Sequence, residues 1–150
     1  MNNRWGPNVT VAAVIHQAGR YLMVEERDPI SGHRVLNQPA GHLEPGEGLV
    51  DAVRREVLEE TRWEVTVTGY LGVALFTAAN NTTYLRHSFL CTPTRERSER
   101  NLDEAIIAAP WMTYEEIKSR AEVHRSHLVL DVLRQYRAGL CAPLSFVIDA

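Results

Sequence analysis

The segment from Gly48 to Thr61 constrains this chain most, because it reads as a helix apolar on one side and acidic on the adjoining side. Leu49, Val53 and Val57 recur at four-residue spacing, and no glycine or proline after Gly48 interrupts them. At about 100° per residue, Glu56, Glu59 and Glu60 fall within roughly 100° of arc beside that apolar stripe. Asp51, Arg54 and Arg55 lie around the other side. The three glutamates are therefore expected at the edge of the buried surface, and the helix needs a sheet to cover its stripe.

The flanking segments supply strands. Val9 to His16 is rich in Val and Ala with little alternation, as in a strand buried on both faces. Ala18-Gly19-Arg20 reads as a hairpin turn into a second strand, Tyr21 to Glu26, and Asp28 to His33 as a loop. Val65 to Phe76 and Thr82 to Cys91 read as strands joined through Asn80-Asn81, with Arg95 to Arg100 a charged loop. Ile106 to Trp111 predicts a short strand. Thr113, with Glu116 three residues on, predicts a capped helix, and a last helix is expected from about Ser126 to Arg137. No repeat or linker divides residues 1–150, so the expectation is one α/β domain with a mixed sheet covered on both faces.

Three carboxylates on one helix face repel each other and disfavour ionisation. Their place near the helix C-terminus is also unfavourable for the macrodipole. A divalent cation relieves both, and hard carboxylate oxygens suit magnesium or manganese. Such a cation can also grip phosphate oxygens while one acid positions or deprotonates water. The alternative is a solvated acidic face paired with Arg54, Arg55 and Arg62. The preceding loop, Gly41-His-Leu-Glu-Pro-Gly-Glu47, favours the metal. Gly41 permits backbone geometry that other residues resist and could expose its carbonyl to the ion. Glu47, eight residues before Arg55, could lock loop against helix through a salt bridge.

Taken together, Gly41, Glu47, Arg55, Glu56, Val57, Glu59, Glu60 and Trp63 match the Nudix box, G-x5-E-x7-R-E-U-x-E-E-x-G-U, where U is bulky and apolar. The chain thus resembles the Nudix hydrolases, with one departure: Arg62 stands at the glycine that usually ends the helix in a left-handed conformation. The resemblance implies a Nudix-type α/β/α sandwich, a single Nudix domain, and a Mg2+-dependent hydrolase of phosphorus-containing anhydrides, with Mn2+ as a substitute. It implies metal binding by Glu59, Glu60 and the Gly41 carbonyl, Glu56 as ligand or general base, and Arg55 as the residue orienting the glutamates. An acid outside the box often completes such sites, and Glu104 or Asp103 is the candidate here. Asn37 to Glu44, Leu85-Arg86 and Arg125-Ser126 further resemble the bacterial Nudix phosphatase branch over roughly Val9 to Pro143. That branch acts on nucleoside di- and triphosphates and on pyrophosphates of thiamine and its precursor. Its usual aromatic before Asn-Gln-Pro-Ala is Leu36 here, which removes an expected ring-stacking wall.

Among other polar residues, Gln38, Arg86, Arg125 and Ser126 are candidates for contact with a small phosphorylated substrate. Arg86 is equally readable as a structural ion-pair partner, Gln38 as a turn residue, and Arg125-Ser126 as an ordinary helix cap. His87 reads as surface or core. His124 and His127 are at metal-pair spacing but lack a visible third ligand. Trp5 and Trp111 could stack a substrate ring, with core packing the better reading for Trp111. The net charge of -3 argues against broad nucleic-acid binding, and no apolar run approaches a membrane span. Met1 to Pro7 lacks the pattern of a signal peptide, and Cys91 and Cys141 read as two reduced thiols, so a cytoplasmic enzyme is expected. A non-catalytic Nudix-like module, sensing a nucleotide or binding a protein, is the alternative. Loss of the acids would favour that module, and all three are present.

Overall fold

The computed structural model describes residues 3–149. Strands β1 (Asn8–Gln17), β2 (Arg20–Leu22), β3 (Val24–Arg27), β4 (Arg34–Asn37) and β5 (Ala40–His42) precede helix α1 (Leu49–Thr61). The long hairpin β6 (Trp63–Thr77) and β7 (Thr83–Glu96) follows, then β8 (Ile106–Ala108), β9 (Trp111–Met112), α2 (Tyr114–Ser119), α3 (Leu128–Arg137) and β10 (Ala142–Pro143). The main sheet runs β10-β6-β7-β1-β2-β9, with β5 also on β1, and a second sheet runs β4-β3-β8. β1 is parallel to β7 and antiparallel to β2 and β5, so the sheet is mixed.

The unbroken apolar run of β1 has the meaning expected of it: Val11 to Ile15 are all 1% exposed or less. Val11, Ala13 and Ile15 pack with Ala52, Val53 and Val57 of α1. Val14 faces the other way, with Val129, Leu130 and Leu133 of α3. Each fully buried Val or Leu of these layers contributes roughly 1.5–3 kcal/mol. The result is an α/β/α sandwich in which β5 carries Gly41 opposite Val11, beneath the acidic end of α1.

Four elements differ from the sequence expectation. Tyr21 to Glu26 is not one strand, because the chain passes from the main sheet to the small one at Met23. Ile106 to Trp111 divides in the same way, and the Met23 N–H donates to the Pro110 carbonyl at 2.9 Å where the two crossings meet. The charged loop begins later than Arg95, since β7 continues to Glu96 as the antiparallel partner of Trp63. The last helix starts at Leu128, with Ser126 in the turn before it.

Helix α1 ends at Arg62 in the left-handed region, φ 67°, with its N–H donating to Leu58 O. A non-glycine residue costs about 1 kcal/mol in that conformation. Arg62 offsets little of this: its Nε is buried without a partner, and its ion pair to Glu96 spans 4.0 Å. We expect Arg62→Gly to stabilise the protein by about 0.5–1 kcal/mol with turnover unchanged. Chemical denaturation measures it, and a clear loss of stability would mean that the Glu96 contact outweighs the backbone strain.

The other end of α1 is capped from far away. Gly48 has no side chain to offer, and the Leu49 and Val50 N–H groups instead donate to the two Asp149 carboxylate oxygens, each at 3.1 Å. Asp149 thereby satisfies two of the four orphan donors and places a negative charge at the positive helix end.

Candidate metal and phosphate site

Arg55 organises the acidic face. Its Nε and Nη2 donate to the two Glu47 oxygens at 3.0 and 2.6 Å, a bidentate pair. Nη1 donates to Glu56 at 2.8 Å and Glu59 at 3.3 Å, and Nη2 also reaches the His42 carbonyl at 3.0 Å. One guanidinium thus ties the loop, β5 and the helix together. These bonds, with Glu47 foremost, hold Arg55 still more firmly protonated, and Arg55 in turn keeps the Glu47 carboxyl below its usual range.

Glu56 lies against Gly41. A Cβ at Gly41 would sit 2.1 Å from the Glu56 carboxyl carbon, so only glycine permits this approach. Burial raises the Glu56 pKa; Arg55 opposes the shift, and the charges of Glu59 and Asp103 add to it. Glu60 is 6% exposed and accepts the Ala40 N–H at 2.8 Å. Burial is the main cause that pushes its pKa up to about 9, and Glu26, Glu56 and Asp103 add to the shift. Glu59 is the most open of the three, its side chain 35% exposed.

Among the described residues, no three or more acids, histidines or cysteines stand close enough together to hold a metal ion with their side chains placed as they are. Glu56 and Glu59 are bonded to Arg55, and Glu60 to a backbone amide. The chemistry of the donors nevertheless suits a hard divalent ion: Glu56 lies against Gly41, Glu60 on the neighbouring Ala40 amide and Glu59 on the shared Arg55, and burial with mutual repulsion suppresses ionisation of Glu56 and Glu60. An ion at this place would remove the penalty that the metal-free protein carries.

Of the two acids expected outside the motif, the fold brings Asp103 to the cluster. Its N–H donates to Glu59 O at 3.1 Å, and its charge acts on both Glu56 and Glu60. Glu104, the other candidate, is exposed. Glu26, which no sequence spacing singled out, does reach the cluster through the small sheet.

The substrate-binding candidates fall differently from expectation. Arg86 is 8% exposed; Nη2 donates to Gln38 Oε1 at 2.8 Å, and both Nη atoms reach Asn37 Oδ1 at 3.3 Å. Burial lowers its pKa to about 10 against the pull of Glu26 and Glu60, while Arg125 adds to the lowering. Its Nε has no partner. Arg86 is therefore a buried counter-charge behind the acids. Gln38 is 1% exposed and spends its amide inside, donating to Val129 O at 2.8 Å and accepting from Arg86, so direct substrate contact is not open to it.

Arg125 stays partly open and binds Glu26 at 2.9 Å and Asp28 at 3.8 Å, which places it beside the cluster. Ser126 lies in the turn that leads into α3, its Oγ accepting the Leu128 N–H at 3.2 Å. His124 and His127 do not converge, since one bonds Ile117 O and the other Asp131. His87 pairs with the Tyr70 hydroxyl at 2.8 Å. Trp111 packs edge-on against Trp63, Trp5 is 73% exposed, and Leu36 is core at 0%. Both cysteines are free, Cys91 buried and Cys141 exposed.

Comparison with known proteins gives the family and the fold. The NUDIX domain model matches residues 6–131. Phosphatase NudJ of Escherichia coli K12 is 36% identical over 143 residues, spanning 95% of this chain and 92% of that protein. The structure of a NUDIX hydrolase from Nitrosomonas europaea superposes with a TM-score of 0.93 at 43% identity, covering 97% of this chain and 98% of that one. A UDP-X diphosphatase shares the fold at a TM-score of 0.75 and 17% identity, over 95% of this chain and 68% of that one. The chain belongs to the Nudix family. It is a hydrolase of phosphorus-containing anhydrides, similar over nearly its whole length to a bacterial phosphatase.

Proposed function

We propose that this enzyme is a magnesium-dependent, broad-specificity phosphatase of nucleoside di- and triphosphates and of thiamine-related pyrophosphates, releasing orthophosphate. The observation that carries the reading is the pair Glu56, which lies against Gly41, and Glu60, which lies on the next amide, both held toward neutrality by burial; a divalent cation would relieve that penalty. The similarity to phosphatase NudJ supports the choice of substrate class.

In this account Glu56, Glu59, Glu60 and the Gly41 carbonyl hold the ion, with Asp103 as the outer acid in place of Glu104. Bound there, magnesium or manganese would polarise phosphate oxygens and acidify a water. Arg55 keeps Glu56 and Glu59 in position through bonds it already makes. Glu56 serves as a ligand or takes the proton of the attacking water. Arg125, the open cation beside Glu26, exchanges carboxylate for substrate phosphate, while Arg86 and Gln38 set the wall behind it. Nothing favours the non-catalytic reading, since every acid it would dispense with is present. No helix among the described residues is long and apolar enough to cross a membrane.

Metal-held phosphates supply most of the binding energy in this arrangement, so discrimination among attached groups should be modest. Supplied separately with magnesium, GTP is expected to give GDP, and thiamine pyrophosphate to give thiamine monophosphate, by chromatography. Exclusive formation of GMP and pyrophosphate, or selection of one compound by more than about a thousandfold in kcat/KM, contradicts the proposal.

A further inference from the structure

Helix α1 carries Glu56, Glu59 and Glu60 toward its C-terminal end, yet its first turn is held from 100 positions away along the chain. Gly48 stands at the N-cap in extended backbone, φ -81° and ψ 165°, the conformation in which Ser, Thr, Asp or Asn would supply the cap. It has no side chain, and the Leu49 and Val50 N–H groups donate to Asp149 instead. The missing side chain is what admits the carboxylate: a Cβ at Gly48 would lie 2.9 Å from the Asp149 carboxyl carbon and from its Oδ2. The core sets the approach of Asp149. β10 pairs with Gly69 and Tyr70 of β6, and beyond it Leu144 and Val147 pack against the cluster that holds Ala52, Val53 and Val57. The Val147 N–H closes the turn Leu144–Phe146 on Leu144 O at 2.9 Å, and the chain then delivers Asp149 to the start of α1.

The residue just before this cap is Glu47. Its carboxylate takes both Nε and Nη2 of Arg55 and also accepts the Glu44 N–H at 2.9 Å. Arg55 in turn holds Glu56, Glu59 and the His42 carbonyl. We propose that Asp149 is a positioning residue of the metal site. By fixing the first turn of α1 it fixes where Glu47 meets Arg55, and through Arg55 where the acids stand. Without Asp149 the Leu49 and Val50 N–H groups are orphaned, and a helix start with orphaned donors frays. The fork between Glu47 and Arg55 is bidentate and tolerates little displacement, so the loop and the acids loosen together.

The proposal rests on the metal-dependent reading of the site, and metal affinity measured apart from turnover separates the two. Mn2+ binding is followed by EPR of the free ion for the wild type, Asp149→Ala and Thr113→Ala. Thr113 caps α2, a helix that carries none of these acids, so it controls for the loss of a cap as such. Both variants should lower the unfolding midpoint by similar amounts. Asp149→Ala alone should weaken Mn2+ by about fivefold, the scale of one lost cap. Its turnover should fall about fivefold at limiting Mn2+ and return to within about twofold of wild type at saturating Mn2+. Gly48→Ser in the Asp149→Ala background supplies a local cap where the carboxylate stood, and should restore Mn2+ affinity to within about twofold. Unchanged Mn2+ affinity in Asp149→Ala, an equal loss in Thr113→Ala, or no recovery with Gly48→Ser would overturn the proposal. A wild type that binds no Mn2+ would overturn it together with the metal reading. The expected pattern in a protein that hydrolyses no phosphorylated compound would contradict the phosphohydrolase reading alone.

Discussion

Glu60→Gln is expected to lower kcat by at least about a hundredfold while raising the stability of the metal-free protein, because the carboxylate proposed as a ligand is also a buried liability. The amide keeps shape, and its oxygen still accepts the Ala40 N–H. The sign of the stability effect follows from linkage. In the folded chain burial pushes the Glu60 pKa up to about 9, whereas an unfolded, solvated glutamate releases its proton near 4.5. Between those values the unfolded state binds fewer protons, so the wild type loses stability as pH rises through that window. Glutamine carries no such penalty. The gain should be on the order of 2 kcal/mol at pH 8, vanish near pH 4, and disappear when saturating magnesium stabilises the wild type. Denaturation at both pH values with and without magnesium, together with turnover, tests it. Near-wild-type kcat would remove Glu60 from the site.

Arg55→Ala should be the most damaging single change. It releases Glu47, Glu56 and Glu59 from their common cation and frees the His42 carbonyl. Glu56, 12% exposed, is then buried without a counter-charge. Breaking a fully buried pair costs about 3–5 kcal/mol, and with Arg55 partly open to solvent about 2–3 kcal/mol is expected here. Turnover at saturating magnesium should fall by at least about a hundredfold, since the ligands lose their fixed positions. Arg55→Lys should recover little, because one ammonium cannot reproduce the fork to Glu47 together with the bonds to Glu56 and His42. A variant destabilised to this extent but with kcat intact would show that Arg55 braces the fold without positioning the acids.

The acidic helix was legible in sequence because its chemistry is local. Spacing alone places Glu56, Glu59 and Glu60 on one face, and Glu47 and Arg55 meet as their separation implies. The left-handed end at Arg62 was equally local, following from the motif position. What stayed hidden depends on strand pairing. Glu26 and Asp103 reach the cluster only because the small sheet and the loop after β7 return to α1, and no periodicity encodes that return. Gln38 looked free for substrate because its partners are distant: Val129 lies 91 residues away and Arg86 lies 48 away. The same holds for the sheet crossing at Met23, where an unbroken apolar run gives no sign of changing partners.

The central claim is that these carboxylates make the chain a metal-dependent hydrolase of small phosphorylated metabolites. The most direct measurement is a panel of such compounds incubated with the protein in EDTA and then in excess magnesium, reading orthophosphate and pyrophosphate separately. The account predicts no release in EDTA, recovery with magnesium or manganese, and orthophosphate from several nucleotides and from thiamine pyrophosphate. Release that persists in EDTA, or a panel with no product under either condition, would contradict it.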